Sequence, residues 1–226
     1  GSRVHGDTPV RRPATLGFGL PSAPPRGLTR TMQQSVSSPG NAVREPRALR
    51  PAIFLDRDGT LIQERNYLAD PELVELIPGA AQALRALAEA GYALVLVTNQ
   101  SGIARGYIRP EEYQAVQDRL HALLAAEGVR LDGVYCCPHH PEITGPCECR
   151  KPAPGLFRQA AAELRLDLQA SYYVGDRLRD VLPARALGGT GILVLTGYGA
   201  QEADAAPDDV LVIPDLAALP GCIIHG

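Results

Sequence analysis

Apolar residues fall into two kinds of run along this chain. Short unbroken runs, AIFL (52–55), YALVLVT (92–98), GVYCC (133–137), SYYVG (171–175), GILVL (191–195) and DVLVI (209–213), have the length and composition of strands buried on both faces. Between them lie segments with an apolar stripe at helical spacing: PGAAQALRALAEAG (78–91), PEEYQAVQDRLHALLAAEG (110–128) and PGLFRQAAAELRL (154–166). The first opens with Pro near its first turn and stops at Gly91, the expected asymmetry of helix ends. Strands alternating with helices predict an α/β fold, a Rossmann-like parallel sheet with helices on both faces. In such sheets the ligand sits at the carboxyl ends of the strands.

The first fifty residues break this pattern. They show no sustained apolar period, hold seven of the 20 Pro, and carry eight Arg against Asp7 and Glu45. Their charge is therefore +6 within a chain of net charge -3, which leaves -9 on residues 51–226. Residues 1–50 are expected to form a disordered basic tail, and 51–226 the folded domain. Gly-Ser at the start and a single Met at position 32 suggest that residues 1–31 are a tag remnant or an over-extended gene start. The tail's resemblance to a transit peptide or a nucleic-acid-binding arm is superficial by comparison. No apolar run approaches the roughly 20 residues of a membrane span, so a cytoplasmic protein without a membrane partner is expected.

Three of the predicted strands end in polar clusters: FLDRDGT, VLVTNQSG and YYVGDRLRD. The topology would gather them at one edge of the sheet. Asp56 and Asp58, two apart where a strand opens into a loop, and Asp176 could each aim a side-chain oxygen at one hard divalent cation, for which an all-oxygen set suits Mg²⁺. A metal beside a carboxylate is a phosphate site, and the carboxylate can attack phosphorus to give an aspartyl-phosphate. Any one of these aspartates alone could be a cap or turn former. The set is not explained that way.

Four of the five cysteines lie in CCPHHPEITGPCEC (136–149), while Cys222 stands alone and reads as inert. Cys137, His139, Cys147 and Cys149 supply Cys-x-His and Cys-x-Cys pairs for a tetrahedral, structural Zn²⁺. Cys136 could replace Cys137, and His140 could replace His139. Strand alternation lets only one of the two cysteines face the loop.

DRDGT, the strand-ending Thr98, RKPAPG and GDRLRD resemble, in order, the four motifs of the haloacid dehalogenase-like phosphatase superfamily. The resemblance implies that Asp56 is the nucleophile and Asp58 the general acid and then base. Thr98 would hydrogen-bond the phosphoryl group, Lys151 would stabilise its charge and that of Asp56, and Asp176 would complete the Mg²⁺ shell. Asp180 would act through water or by orientation. Within the superfamily, FLDRDGT, VTNQSGIARG, CPHHP and CECRKPAPG resemble the D-glycero-D-manno-heptose 1,7-bisphosphate 7-phosphatases of heptose-nucleotide synthesis, over about residues 52–200. Histidinol-phosphate phosphatases are the nearest alternative. The resemblance implies substrate contacts at Asp56, Arg57, Asp58, Gly59, Glu64, Tyr67, Thr98, Asn99, Gln100, Ser101, Arg150, Lys151 and Arg177.

Physical reasoning agrees in part, because Arg150 and Arg177 offer forked donors for a phosphate that stays bound. The short segment between the first strand and first helix leaves no room for a large cap, so a capless enzyme with an open pocket is expected, acting as a monomer on a small sugar bisphosphate. A zinc-stabilised nucleic-acid-binding module is the competing class. Aromatics are only 5% and the folded part is acidic, which disfavours it.

Overall fold

The computed structural model describes residues 48–224. The tail expected at 1–50 lies outside them except for its last three residues. Arg50 belongs to the domain: it opens the first strand, and its guanidinium bonds Tyr92 O at 2.7 Å, Gly91 O at 3.0 Å and the Asp132 carboxylate at 3.0 Å.

The chain runs β1 (Arg50–Leu55), α1 (Ala80–Glu89), β2 (Ala93–Asn99), α2 (Ser101–Ala104), α3 (Pro110–Ala126), β3 (Gly133–Cys137), α4 (Pro141–Thr144) and α5 (Gly155–Leu164). It continues with β4 (Leu166–Gly175), α6 (Leu178–Val181), α7 (Pro183–Leu187), β5 (Thr190–Val194), α8 (Gly199–Glu202), β6 (Val210–Ile213) and α9 (Leu219–Ile224). The six strands form one sheet in the order β3-β2-β1-β4-β5-β6, every neighbouring pair parallel. The order reverses between β1 and β4, so the loops leaving their carboxyl ends diverge to opposite sides and open a crevice there.

Alternation along the strands divides the core. Ile53, Leu55, Leu94, Leu96, Val174 and Ile192 point to the face covered by α1, α3 and α9, through Leu84, Leu87, Val116, Leu120 and Leu219. Ala52, Phe54, Val95, Val97 and Tyr173 point to the other face, against α5 and α7. There Phe54 stacks on Tyr173 with ring centres 5.1 Å apart, and Phe157 of α5 meets both rings edge-on at 5.2 Å. With both faces covered, β1 and β2 read as continuous apolar runs, which made them legible.

The helix predicted to reach residue 166 ends earlier. Arg165 adopts a left-handed conformation (φ +57°) as its cap, and β4 begins at once, five residues before the predicted strand. The early half of β4 is irregular. The Asp167 carboxylate accepts from Gln169 N and Ala170 N, the Ser171 hydroxyl bonds Asp167 O, and Ser171 Oγ accepts from Ala52 N at 2.9 Å where the β1–β4 register shifts. Side chains replace ladder bonds there, where LDLQA (166–170) follows the helix without a turn.

Residues 56–79 carry only a one-turn 3-10 helix and isolated bridges at Asp58, Ile62 and Leu76, and residues 138–154 carry only α4. No cap domain is inserted among the described residues.

Candidate active site

Asp56 leaves β1 with its N–H still bonded to Val174 O at 2.9 Å, so the sheet itself fixes the first carboxylate. The chain then turns tightly, Leu61 N and Ile62 N both bonding Arg57 O, with Gly59 at φ +79°. A Cβ on Gly59 or on Gly197 (φ +56°) would collide with Asp176 Oδ2. Two glycines from separate loops therefore leave the space that the Asp176 carboxylate fills. Gly59 was expected to touch substrate; it is buried beneath Asp176 instead.

Lys151 is the hub. The residue is 3% exposed, and its ammonium lies 2.6 Å from Asp56 Oδ1, 2.8 Å from Asp180 Oδ1 and 2.7 Å from Val97 O. Its backbone is clamped by the Asn99 side-chain amide in both directions at 3.1 Å. Burial works against the charged amine, but Asp180 and Asp56 outweigh it and Lys151 is held above the usual range.

The carboxylate oxygens of Asp56, Asp176 and Asp180 lie within 4.8 Å of one another. Burial, with Asp56 next in importance, pushes Asp176 up to about 8, and burial raises Asp180 despite Lys151. Three carboxylates against one ammonium, with Arg177 and Arg179 acting from farther off, crowd negative charge enough to hold two of the acids well above the usual range. An all-oxygen set with that excess fits a hard divalent cation.

Asp58 differs from its expected place. Its carboxylate is outside that cluster: Oδ2 accepts from Gln100 Nε2 at 2.7 Å and Arg57 Nε at 3.1 Å, and Oδ1 from a terminal Arg57 nitrogen at 3.1 Å. The adjacent guanidinium draws the side chain away, and Asp180, expected only as an outer partner, stands in the cluster. Gln100 Nε2 also lies 2.8 Å from the buried Thr98 hydroxyl, linking strand two to Asp58.

Above these residues opens a cavity of about 290 Å³. The expected Asp56, Arg57, Asp58, Glu64, Tyr67, Asn99, Gln100, Ser101, Arg150, Asp176 and Arg177 line it, whereas Thr98, Lys151 and Gly59 are not among its lining residues. Sequence reasoning missed Arg65, Asn66, Arg105, His140, Arg179 and Tyr198, which also line it. Arg105 and Arg179 sat inside quoted motifs, but only the four-residue helices α2 and α6 turn them to the cavity, and such short helices carry no periodic signal. Arg177 is gripped: its Cζ lies 3.5 Å over the Tyr198 ring and one terminal nitrogen 3.4 Å from Glu202. Tyr67, at φ +55°, meets Tyr107 edge-on at 4.8 Å. Burial, then Asp58 and Asp56, lift Glu64 to about 6.

Beside the cavity, the structure brings together Cys137 Sγ, His139 Nδ1, Cys147 Sγ and Cys149 Sγ, with measured separations of 3.1 to 3.9 Å. A tetrahedral zinc with bonds of about 2.3 Å has edges of roughly 3.8 Å, so the donors match that set in kind and sit at or somewhat inside its spacing. Cys136 lies on the opposite face of β3 as the partner of Tyr113, and His140 Nε2 lies 2.6 Å from an Arg105 nitrogen. Hydrogen bonds, first from Cys149, outweigh burial and bring Cys147 down to about 7, while burial raises Cys137. Arg150 follows directly and donates to His139 O at 3.3 Å.

Residues 53–111 match the haloacid dehalogenase-like hydrolase family model, and residues 148–219 a second model described as HAD-hydrolase-like. The D-glycero-beta-D-manno-heptose-1,7-bisphosphate 7-phosphatase of Yersinia pestis is 48% identical over 180 residues, covering 76% of this chain and 95% of that one. Among solved structures, the D,D-heptose 1,7-bisphosphate phosphatase of B. bronchiseptica, complexed with magnesium and phosphate, superposes with a TM-score of 0.72 at 36% identity. That match covers 78% of this chain and 99% of that one. The Burkholderia thailandensis heptose bisphosphate phosphatase gives 0.61 at 30% identity, over 78% and 100%. The carboxylate cluster, its lysine and the thiol loop thus sit in a chain that belongs to the haloacid dehalogenase-like hydrolases, in the family of the heptose 1,7-bisphosphate 7-phosphatases.

Proposed function

We propose that this protein hydrolyses the 7-phosphate of D-glycero-D-manno-heptose 1,7-bisphosphate, taking the β anomer named for its relatives, to give heptose 1-phosphate for the synthesis of nucleotide-activated heptose and cell-surface glycan. The observation that carries it is the pairing of two unlike regions in one cavity, a carboxylate cluster with its lysine and a rim of arginines. A bisphosphate needs one centre that cleaves and another that only holds.

An Asp56 carboxylate oxygen attacks phosphorus, the bond to the sugar oxygen breaks, and Asp58 protonates the departing alkoxide. Lys151 and the Thr98 hydroxyl balance charge on the transferring group. Asp58 then takes a proton from water as it attacks the aspartyl-phosphate, and phosphate leaves. Mg²⁺ held by Asp56, Asp176 and Asp180 would neutralise phosphoryl charge and orient the group for in-line attack. Arg150 and Arg177 hold the 1-phosphate, and Glu64 and Tyr67 meet the sugar. Zn²⁺ on Cys137, His139, Cys147 and Cys149 would fix the loop that carries Arg150.

Phosphate release with Mg²⁺ from each heptose bisphosphate anomer and from histidinol phosphate tests the reading. Preference for the β anomer is expected. The arginine rim disfavours the cationic amine of histidinol phosphate, so a preference for that compound would overturn the substrate while leaving the chemistry. Activity surviving in Asp56→Asn would overturn the chemistry.

No disulfide joins any two of the five cysteines, in keeping with the reducing cytoplasm. Among the described residues no helix is long and apolar enough to cross a membrane. A cytoplasmic monomer with no nucleic-acid or membrane partner completes the proposal.

A further inference from the structure

Arg57 is among the most completely buried large side chains of the domain, at 1% exposure, although it lies between the two aspartates of the catalytic loop and forms part of the cavity wall. A charged side chain so placed is held by its neighbours, and here they come from two directions. In front, Nε and a terminal nitrogen bond the Asp58 carboxylate. Behind lies α3, where Gln117 Oε1 accepts from the other terminal nitrogen at 3.4 Å and the Tyr113 ring lies 5.6 Å from Cζ. Gln117 is itself 3% exposed, and its amide nitrogen has no partner, so its one polar contact is the guanidinium.

A carboxylate offers about two acceptor sites on each oxygen. Asp58 Oδ2 takes donors from Arg57 Nε and Gln100 and lies 3.0 Å from the terminal Arg57 nitrogen, which it shares with Oδ1 at 3.1 Å, the one donor Oδ1 has. The free site is on Oδ1.

We propose that α3 serves the reaction through Arg57: Gln117 and Tyr113 fix the guanidinium, and the guanidinium fixes the Asp58 carboxylate with Oδ1 as the proton-exchanging oxygen. Arg57 is then a positioning residue and not a substrate contact. The inference rests on the acid role given to Asp58 above and reaches residues far from the substrate.

Leaving-group dependence provides the test. A sugar alkoxide needs a proton as its bond to phosphorus breaks, whereas p-nitrophenolate departs as a stable anion. The ratio kcat/KM reports the first transfer only, so it isolates that proton. Gln117→Leu keeps the side-chain volume and removes a buried nitrogen that had no partner, so folding should survive, checked by thermal melting. It should lower kcat/KM for heptose 1,7-bisphosphate by about 10-fold and Arg57→Lys by about 100-fold, while p-nitrophenyl phosphate changes by less than about 3-fold. Gln117→Glu, which restores an acceptor, should recover most of the loss.

Equal losses on both substrates would make the role purely structural and overturn the proposal. A raised KM for the bisphosphate at unchanged kcat would make Arg57 a substrate contact and also overturn it. Asp58→Asn separates the layers. If it discriminates between the substrates and the Arg57 and Gln117 variants do not, the positioning inference fails alone; if it does not discriminate, the acid assignment fails first.

Discussion

The two clusters with metal-ligand chemistry are assembled in opposite ways. Asp56, Asp176 and Asp180 come from the ends of β1 and β4, more than a hundred residues apart, and the sheet brings them together. Cys137, His139, Cys147 and Cys149 come from thirteen consecutive residues, held at one end by β3 and at the other by the Asn99 clamp on Lys151. The carboxylate site is made by the fold. The thiol site must be made by its ligand, because only the four-residue α4 orders the loop between. Removing the cation from the first should therefore silence the enzyme and leave it folded, and removing it from the second should loosen a loop and its arginine.

The sharpest attack on the fold-made site is Asp56→Asn, expected to reduce phosphate release to background while the melting temperature holds or rises, because one like charge leaves the cluster. Lys151→Met should also abolish turnover, and here the fold suffers. Stripping the ammonium from buried carboxylates should cost about 3–5 kcal/mol, read by denaturant unfolding.

The ligand-made site should respond more mildly. Cys149→Ser should lose bound zinc by elemental analysis, raise KM for the bisphosphate by roughly 10-fold through Arg150, and open residues 138–150 to protease while the sheet stays protected from hydrogen exchange. A melting transition lost altogether would mean that zinc holds the whole domain and would break the contrast.

The smallest effect concerns Glu64. Because the native group binds its proton until about 6, against 4.5 for the ordinary carboxylate, stability should fall as pH rises through that window. Measured without divalent cations, Glu64→Gln should flatten that fall and add roughly 1 kcal/mol at neutral pH, the partly exposed side chain being screened by solvent.

Much of this was legible because strands buried on both faces write themselves as apolar runs, and because three of the site residues end such runs; Lys151, in the loop before α5, follows no strand and was reached only through the RKPAPG motif. Asp56, Thr98 and Asp176 are found by reading to the end of a strand. Asp58 shows the limit: its spacing from Asp56 is visible, but its side chain is turned by Arg57 and Gln100, and no local pattern reports a contact across 42 residues. Arg105 and Arg179 depend on single helical turns, and the first half of β4 on side-chain bonds that mimic a ladder. Of the paired alternatives, strand alternation excluded only the joint use of Cys136 and Cys137; which cysteine serves, like the choice of His139 over His140, needed the folded loop itself.

The position of β4 beside β1 has a consequence for synthesis. Leu55 pairs with Val174, so when the chain emerges from the ribosome β1 gains β2 early and waits for its other neighbour until β4 has been made. At about 5–20 residues per second, the intervening stretch takes several seconds to at most about half a minute. Throughout that interval the nucleophile has neither Asp176 nor Asp180 beside it, so a chain that stops short of the end of β4 lacks the carboxylate cluster.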